Sequence, residues 1–258
     1  MSGKEKQMRT GRGILIVALA MVFVVSSAAV VSDCLEKREA EEQYEELREG
    51  VMAGIDETVP EAAAETEQEV LSEERESEEI PYQVPQGLLD LMEKNSSVIG
   101  WLRIKDTNID YPVVQNKEDN EWFLHRDING EKSQPGSIYL DSNHEVNEKG
   151  IHAVYGHRMK NGTMFKDIVC FTDSDYLKSH REIVIWTEKS EIRLEPVFCY
   201  TGEADGSYRS LLDSGKELEA FLFDKTGCHI SSDNVFVFIT CSYEQQDGRC
   251  YLICSEAD

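Results

Sequence analysis

Val235-Phe236-Val237-Phe238-Ile239-Thr240-Cys241 is the stretch on which the reading of this chain turns. Six apolar or β-branched residues form a strand-like run, and the run ends on a thiol. Polar residues then take over (Ser242, Glu244, Gln245, Gln246, Asp247), so the strand stops near Cys241 and leaves it at a rim that a substrate can reach. Arg249 opens the next run, eight positions after Cys241 and across a turn, so a hairpin can set the two side by side. Far upstream, Tyr155-Gly156-His157 closes another apolar run, residues 151–154. A Cys, a His and an Arg at strand ends supply a nucleophile, a proton donor and an oxyanion clamp. The competing reading is three unrelated residues, because a single Cys in a strand is most often packing.

Outward from that strand, short β-type runs recur at residues 100–104, 109–114, 137–140, 151–155, 182–187, 192–200, 235–240 and 249–254. Turn-prone clusters such as Asp106-Thr107-Asn108, Asn129-Gly130 and Asp247-Gly248 separate them. Eight strands with few long helices point to a mostly β, α+β domain, a mixed barrel or a sandwich. Helical spacing marks residues 86–95 ahead of the first strand, 164–176 as an insertion, and 216–225 in the loop before the Cys strand.

Charge divides the chain of 258 residues into unlike parts. Residues 1–13 form a basic tail with Lys4, Lys6, Arg9 and Arg12 against Glu5. Residues 14–32 carry no charge and match the span of a bilayer core, about 20 apolar residues. Cations ahead of the span favour a cytoplasmic N-terminus and an extracellular remainder. A cleaved signal peptide is the rival, although its apolar region is usually shorter. Residues 33–80 read as an acidic extracellular stalk, with few apolar side chains and a self-repelling composition. Residues 81–258 form the folded catalytic domain. A net charge of −24 argues against a nucleic-acid partner.

Seven cysteines are an odd number with no disulfide framework in their spacing. Cys170, Cys199, Cys228, Cys250 and Cys254 read as small buried apolar residues. His125, His152 and the remaining histidines other than His157 read as surface or satisfied core groups. Scattered acids make no defined loop for calcium, so no metal and no cofactor is expected.

Taken together, these segments resemble the sortases, membrane-anchored cysteine transpeptidases of Gram-positive cell surfaces. Thr240-Cys241 followed by Arg249 is similar to the family's Thr-Leu-x-Thr-Cys…Arg element, and Tyr155-Gly156-His157 to the segment carrying its catalytic His. Gly100-Trp101-Leu102-Arg103-Ile104, Tyr111-Pro112-Val113-Val114, Gly136-Ser137-Ile138-Tyr139-Leu140-Asp141 and Gly162-Thr163-Met164-Phe165 extend the likeness over residues 86–254. One departure stands out: Val237-Phe238 occupies the place of Thr-Leu. Class B is the best match, because a helix precedes the first strand and another precedes the Cys strand. The Asp-Pro-aromatic lid and C-terminal span of pilus-building class C members are absent from this sequence.

The resemblance implies a closed eight-stranded barrel. It assigns Cys241 as nucleophile, His157 as general acid/base and Arg249 as oxyanion or substrate stabiliser. It also implies a groove near Asn120, Leu124, Tyr208, Thr240, Ser242 and Glu244. The implied substrates are a sorting-signal peptide of secreted proteins, cleaved after a Thr, and an amine from a cell-wall precursor or peptidoglycan. The sorting motif is not assumed to be Leu-Pro-x-Thr-Gly. Alternatives are a thiol hydrolase that passes its acyl group to water, a non-catalytic surface-anchored binding domain, and a pilin polymerase.

Overall fold

In the computed structural model, residues 3–53, 82–203, 215–227, 233–242 and 248–257 are described. The strands are β1 (Val98–Ile104), β2 (Asp110–Val114), β3 (Ile138–Leu140), β4 (Ile151–Tyr155), β5 (Ile183–Trp186), β6 (Glu191–Glu203), β7 (Val235–Ser242) and β8 (Gly248–Glu256). They close into a barrel in the order β1-β2-β3-β4-β7-β8-β6-β5. The β2–β3 and β4–β7 pairs are parallel and the others antiparallel. Closure removes every free sheet edge. It also settles barrel over sandwich.

Helices α1 (Gly3–Met52), α2 (Gln86–Lys94), α3 (Ser174–Ser179) and α4 (Gly215–Thr226) accompany the barrel strands, with 3₁₀ helices at Trp122–His125 and Phe165–Thr172. The insertion expected at 164–176 is thus a 3₁₀ helix followed by α3. Asp173 caps α3 by accepting hydrogen bonds from the backbone N–H groups of Asp175 and Tyr176.

Two compact units divide the chain, Met1–Gln43 and Tyr44–Asp258. The first consists of most of α1, which holds an 18-residue window of mean hydropathy 1.8, long and apolar enough to cross a membrane. The second begins inside the stretch that the sequence reading assigns to the stalk. Tyr44, Leu47 and Val51 lie three and four residues apart, on one helix face, and pack into the barrel unit's hydrophobic cluster. The Tyr44 hydroxyl donates to the Gly136 carbonyl at 2.9 Å. Three apolar residues among so many acids are too sparse to register as a stripe until a partner surface is known.

The run that opens the sequence reading is buried on both sides. Phe236 and Phe238 point into the barrel with Cys250, Leu252 and Cys254. Val235, Val237 and Ile239 alternate to the outer face, where Leu218 and Leu222 of α4 cover them together with Tyr251 and Ile253. Each fully buried Phe or Val contributes about 1.5–3 kcal/mol relative to exposure. The departure at Val237-Phe238 is therefore a core substitution: both side chains are buried and neither faces a groove.

Candidate active site

Strand order makes the site. β7 lies between β4 and β8, so the thiol strand has the His strand on one side and the Arg strand on the other. In the antiparallel β7–β8 ladder Cys241 stands directly opposite Arg249. Residues so placed have Cβ atoms about 4.5–5.5 Å apart. In the parallel β4–β7 ladder Tyr155 pairs with Ile239, and the Gly156 N–H extends the pairing by donating to the Ile239 carbonyl at 3.1 Å. Two-residue alternation then carries His157 to the outer face that Cys241 and Arg249 share.

Gly156 is required at this step. A Cβ there would stand 2.5 Å from Ile138 Cδ1 and 2.7 Å from Phe165 Cδ2. The chain passes the Phe165 ring only because no side chain intervenes. His157 is then anchored at both ends: its carbonyl accepts from the Phe165 N–H at 2.9 Å, and its Nε2 donates to the Leu124 carbonyl at 2.8 Å. A carbonyl only accepts, so the neutral ring carries its proton on Nε2 and leaves Nδ1 free for chemistry. His125 stacks on the same ring, with centroids 5.3 Å apart and planes 26° from parallel. Burial lowers the His157 pKa below the ordinary imidazole value; the charges of His125 and Arg249 act the same way, against the hydrogen bond to Leu124.

Cys241 is a free, half-buried thiol. Arg249 is half-buried, donates to the Gly248 carbonyl at 3.1 Å, and pairs with no carboxylate among the described residues. A guanidinium in that state can receive an anion. Three thiols of the barrel unit are poor nucleophiles, whereas Cys34, on α1, is exposed. Cys199 shares a 3.5 Å contact with Cys250, and that bond together with burial raises its pKa far above the usual thiol range. Burial does the same to Cys254 and, less strongly, to Cys170. Cys228 lies outside the described residues.

The six expected groove residues separate into three groups. Thr240 and Ser242 alternate away from Cys241 and are 2% and 3% exposed. Their side chains face the barrel interior and not the face that Cys241 shares. The Thr240 hydroxyl is buried without a hydrogen-bond partner among the described residues. Asn120 and Leu124 lie beside the site but act within the protein. Asn120 donates to Asp141 Oδ2 at 3.0 Å and accepts from the Ser142 N–H at 2.8 Å. Tyr155 donates to the same Asp141 oxygen at 3.0 Å. Leu124 contributes its backbone carbonyl to His157. Tyr208 and Glu244 lie outside the described residues.

Sequence reasoning missed His125 and the backbone role of Leu124, because neither carries a motif. The only hint was a His next to a residue already suspected of lining the groove. Among the described residues no group of three or more His, Cys, Asp or Glu side chains could hold a metal ion.

A family model for the sortase domain matches residues 102–256. The chain is 43% identical over 95 residues to "Sortase B" of Listeria monocytogenes, covering 36% of this chain and 38% of that protein's length. It therefore spans about two-fifths of that relative. The crystal structure of Clostridium perfringens sortase B superposes with a TM-score of 0.58 at 28% identity, over 66% of this chain and 99% of that one. Sortase B from Bacillus anthracis, solved in complex with AAEK1, gives a TM-score of 0.63 at 25% identity, over 87% and 99%.

Proposed function

The chain belongs to the sortase family, and on that premise we propose that it is a membrane-anchored, class B-like cysteine transpeptidase acting outside the cell. Cys241, as the thiolate, attacks the carbonyl of a Thr in a C-terminal sorting signal. Arg249 stabilises the thiolate and the oxyanion of the tetrahedral intermediate. His157, protonated on Nδ1 while Nε2 remains on Leu124, gives that proton to the departing amine. The peptide's acyl group is now a thioester on Cys241. An amine of the cell wall attacks this thioester, His157 Nδ1 takes the proton that the amine loses, and the thiolate departs to restore the enzyme. The apolar part of α1 serves as the anchor, with the N-terminus in the cytoplasm.

The observation that carries this reading is the ladder order β4-β7-β8, which brings three chemically matched residues onto one barrel face. The test is mass spectrometry of sorting-peptide libraries incubated with the full chain, with and without an amine acceptor. An amine-joined product is expected, and Cys241→Ala should abolish it together with peptide cleavage. Cleavage that persists in Cys241→Ala would end the proposal. A free-acid product alone, in excess amine, would reduce it to hydrolysis.

A further inference from the structure

A cavity of about 360 Å³ opens beside the 3₁₀ helix Trp122–His125, lined by that helix, the end of α2 and the turn at Ile128-Asn129-Gly130. It shares no residue with the Cys241, His157 and Arg249 constellation. Its volume falls within the usual range of small-ligand sites, roughly 300–1,000 Å³.

Its chemistry runs against that of the whole chain. The sequence holds 50 acids and a net charge of −24, yet no carboxylate lines this cavity. Besides Asn95, four of its lining side chains are hydrogen-bond donors: the Lys94 ammonium, the Ser97 hydroxyl, the Asn129 amide and the Trp122 indole N–H. None of the four has a side-chain partner among the described residues. The two other tryptophans differ: Trp101 donates to Asp110 at 2.6 Å and Trp186 to Glu191 at 3.0 Å. Both are buried, whereas Trp122 is 38% exposed.

The walls are braced for this arrangement. Asn95 donates to the Ile128 carbonyl at 2.6 Å and accepts from the Ser97 N–H at 3.0 Å, tying α2 to the turn. Arg126 lies 4.2 Å over the Trp122 ring and donates to the Gly130 carbonyl at 2.8 Å. It fixes the indole as a platform and places a second cation at the edge. An apolar ligand would leave these donors unpaired, and a cation would be repelled by Lys94.

We propose that this cavity binds an anionic, hydroxyl-rich ligand, a carboxylated or phosphorylated sugar, with its acid on Lys94 and its ring against Trp122. The site stands independently of the transpeptidase reading, since its ligand need not touch Cys241. Trp122 and Phe123 line it, while the next two residues of the same short helix, Leu124 and His125, contact His157.

The test uses indole N–H NMR of the full chain in detergent micelles, titrated with glucose, glucuronate and glucose 6-phosphate. The Trp122 resonance should move saturably with glucuronate, glucose 6-phosphate or both, and weakly or not at all with glucose; the responding anion tells carboxylate from phosphate. The Trp101 and Trp186 resonances should stay in place and report an intact fold. Lys94→Gln should weaken anion binding about tenfold, the loss of one charged hydrogen bond. Cys241→Ala should bind unchanged, so failed catalysis and failed binding are distinguishable. No saturable movement with either anion, an equal response to glucose, or undiminished affinity in Lys94→Gln would each overturn the proposal.

Discussion

His157 Nε2 donates to the backbone carbonyl of Leu124 at 2.8 Å, across 33 residues of sequence. A backbone acceptor cannot be removed by mutating its own side chain, so the tautomer and tilt of the ring depend on where the 3₁₀ helix Trp122–His125 sits. That position is set in turn by Gly136, at φ +61°, where an added Cβ would stand 2.3 Å from the Leu124 carbonyl oxygen.

Gly136→Ala should therefore damage catalysis without touching any reacting group. The new methyl displaces the carbonyl that aims His157, and a misplacement of about 1 Å can cost roughly 100-fold in rate. Steady-state transfer kinetics, with thermal melts to show that the protein is folded, check this. Full activity would mean that the Leu124 contact does not position the ring.

His125→Ala should move the acid limb of the kcat/KM profile to higher pH. Among the described residues, the charged groups acting on His157 are His125 from the 3₁₀ helix and Arg249 from β8, with Cys241 of β7 on the same barrel face. Removing the stacked ring relieves both burial and a like charge, the two influences that hold the His157 pKa down. NMR titration of His157 in parallel assigns the limb. An unmoved limb would confine His125 to packing.

Arg249→Lys should keep the positive charge and lose the planar fork. Because Arg249 has no carboxylate partner among the described residues, stability should be nearly unchanged. The rate of thioester formation should fall, by about 10²–10³ if the guanidinium is a principal oxyanion donor. Single-turnover acylation measures it, and wild-type rates with Lys would remove the oxyanion role.

Stability should fall on acidification through His152, away from the active site. This ring is 3% exposed, its Nε2 lies 3.0 Å from Asn234 Oδ1, and burial, reinforced by His144, pushes its pKa down to about 4. Unfolded, it titrates near 6.5, so below that pH the unfolded chain binds the extra proton. The folded state loses up to roughly 3 kcal/mol as pH drops from about 6.5 toward 4, and the contribution is intact above that window. Urea melts at pH 7 and 4.5 should show a smaller loss in His152→Gln than in the parent protein. Equal losses would place the acid sensitivity elsewhere.

Much of this architecture was legible from local patterning. Alternating and continuous apolar runs located all eight strands, because burial leaves a periodicity in the residues themselves. Cys241 and Arg249 stood out because a tight hairpin makes neighbours in sequence neighbours in space. His157 stood out as a His closing an apolar run, but its partnership with Cys241 runs through the parallel pairing of two distant strands, and only the resemblance singled it out from the chance grouping. The same limit hid the stripe of Tyr44, Leu47 and Val51 within an acidic helix and the stacking of His125.

By itself, then, the sequence determined the β-rich domain, the apolar N-terminal segment, and a thiol at the end of a buried strand beside an arginine. Burial periodicity, charge and hairpin proximity are local properties that any reader of the chain can recover. Only the tertiary structure decided that Cys199, Cys250 and Cys254 are sealed in the barrel while Cys241 is not, that Thr240 and Ser242 face inward, and that Val237-Phe238-Ile239 is core. It also showed that a backbone carbonyl 33 residues away holds the His157 ring. These depend on barrel closure, which sets face, register and contact between segments that share no local signal.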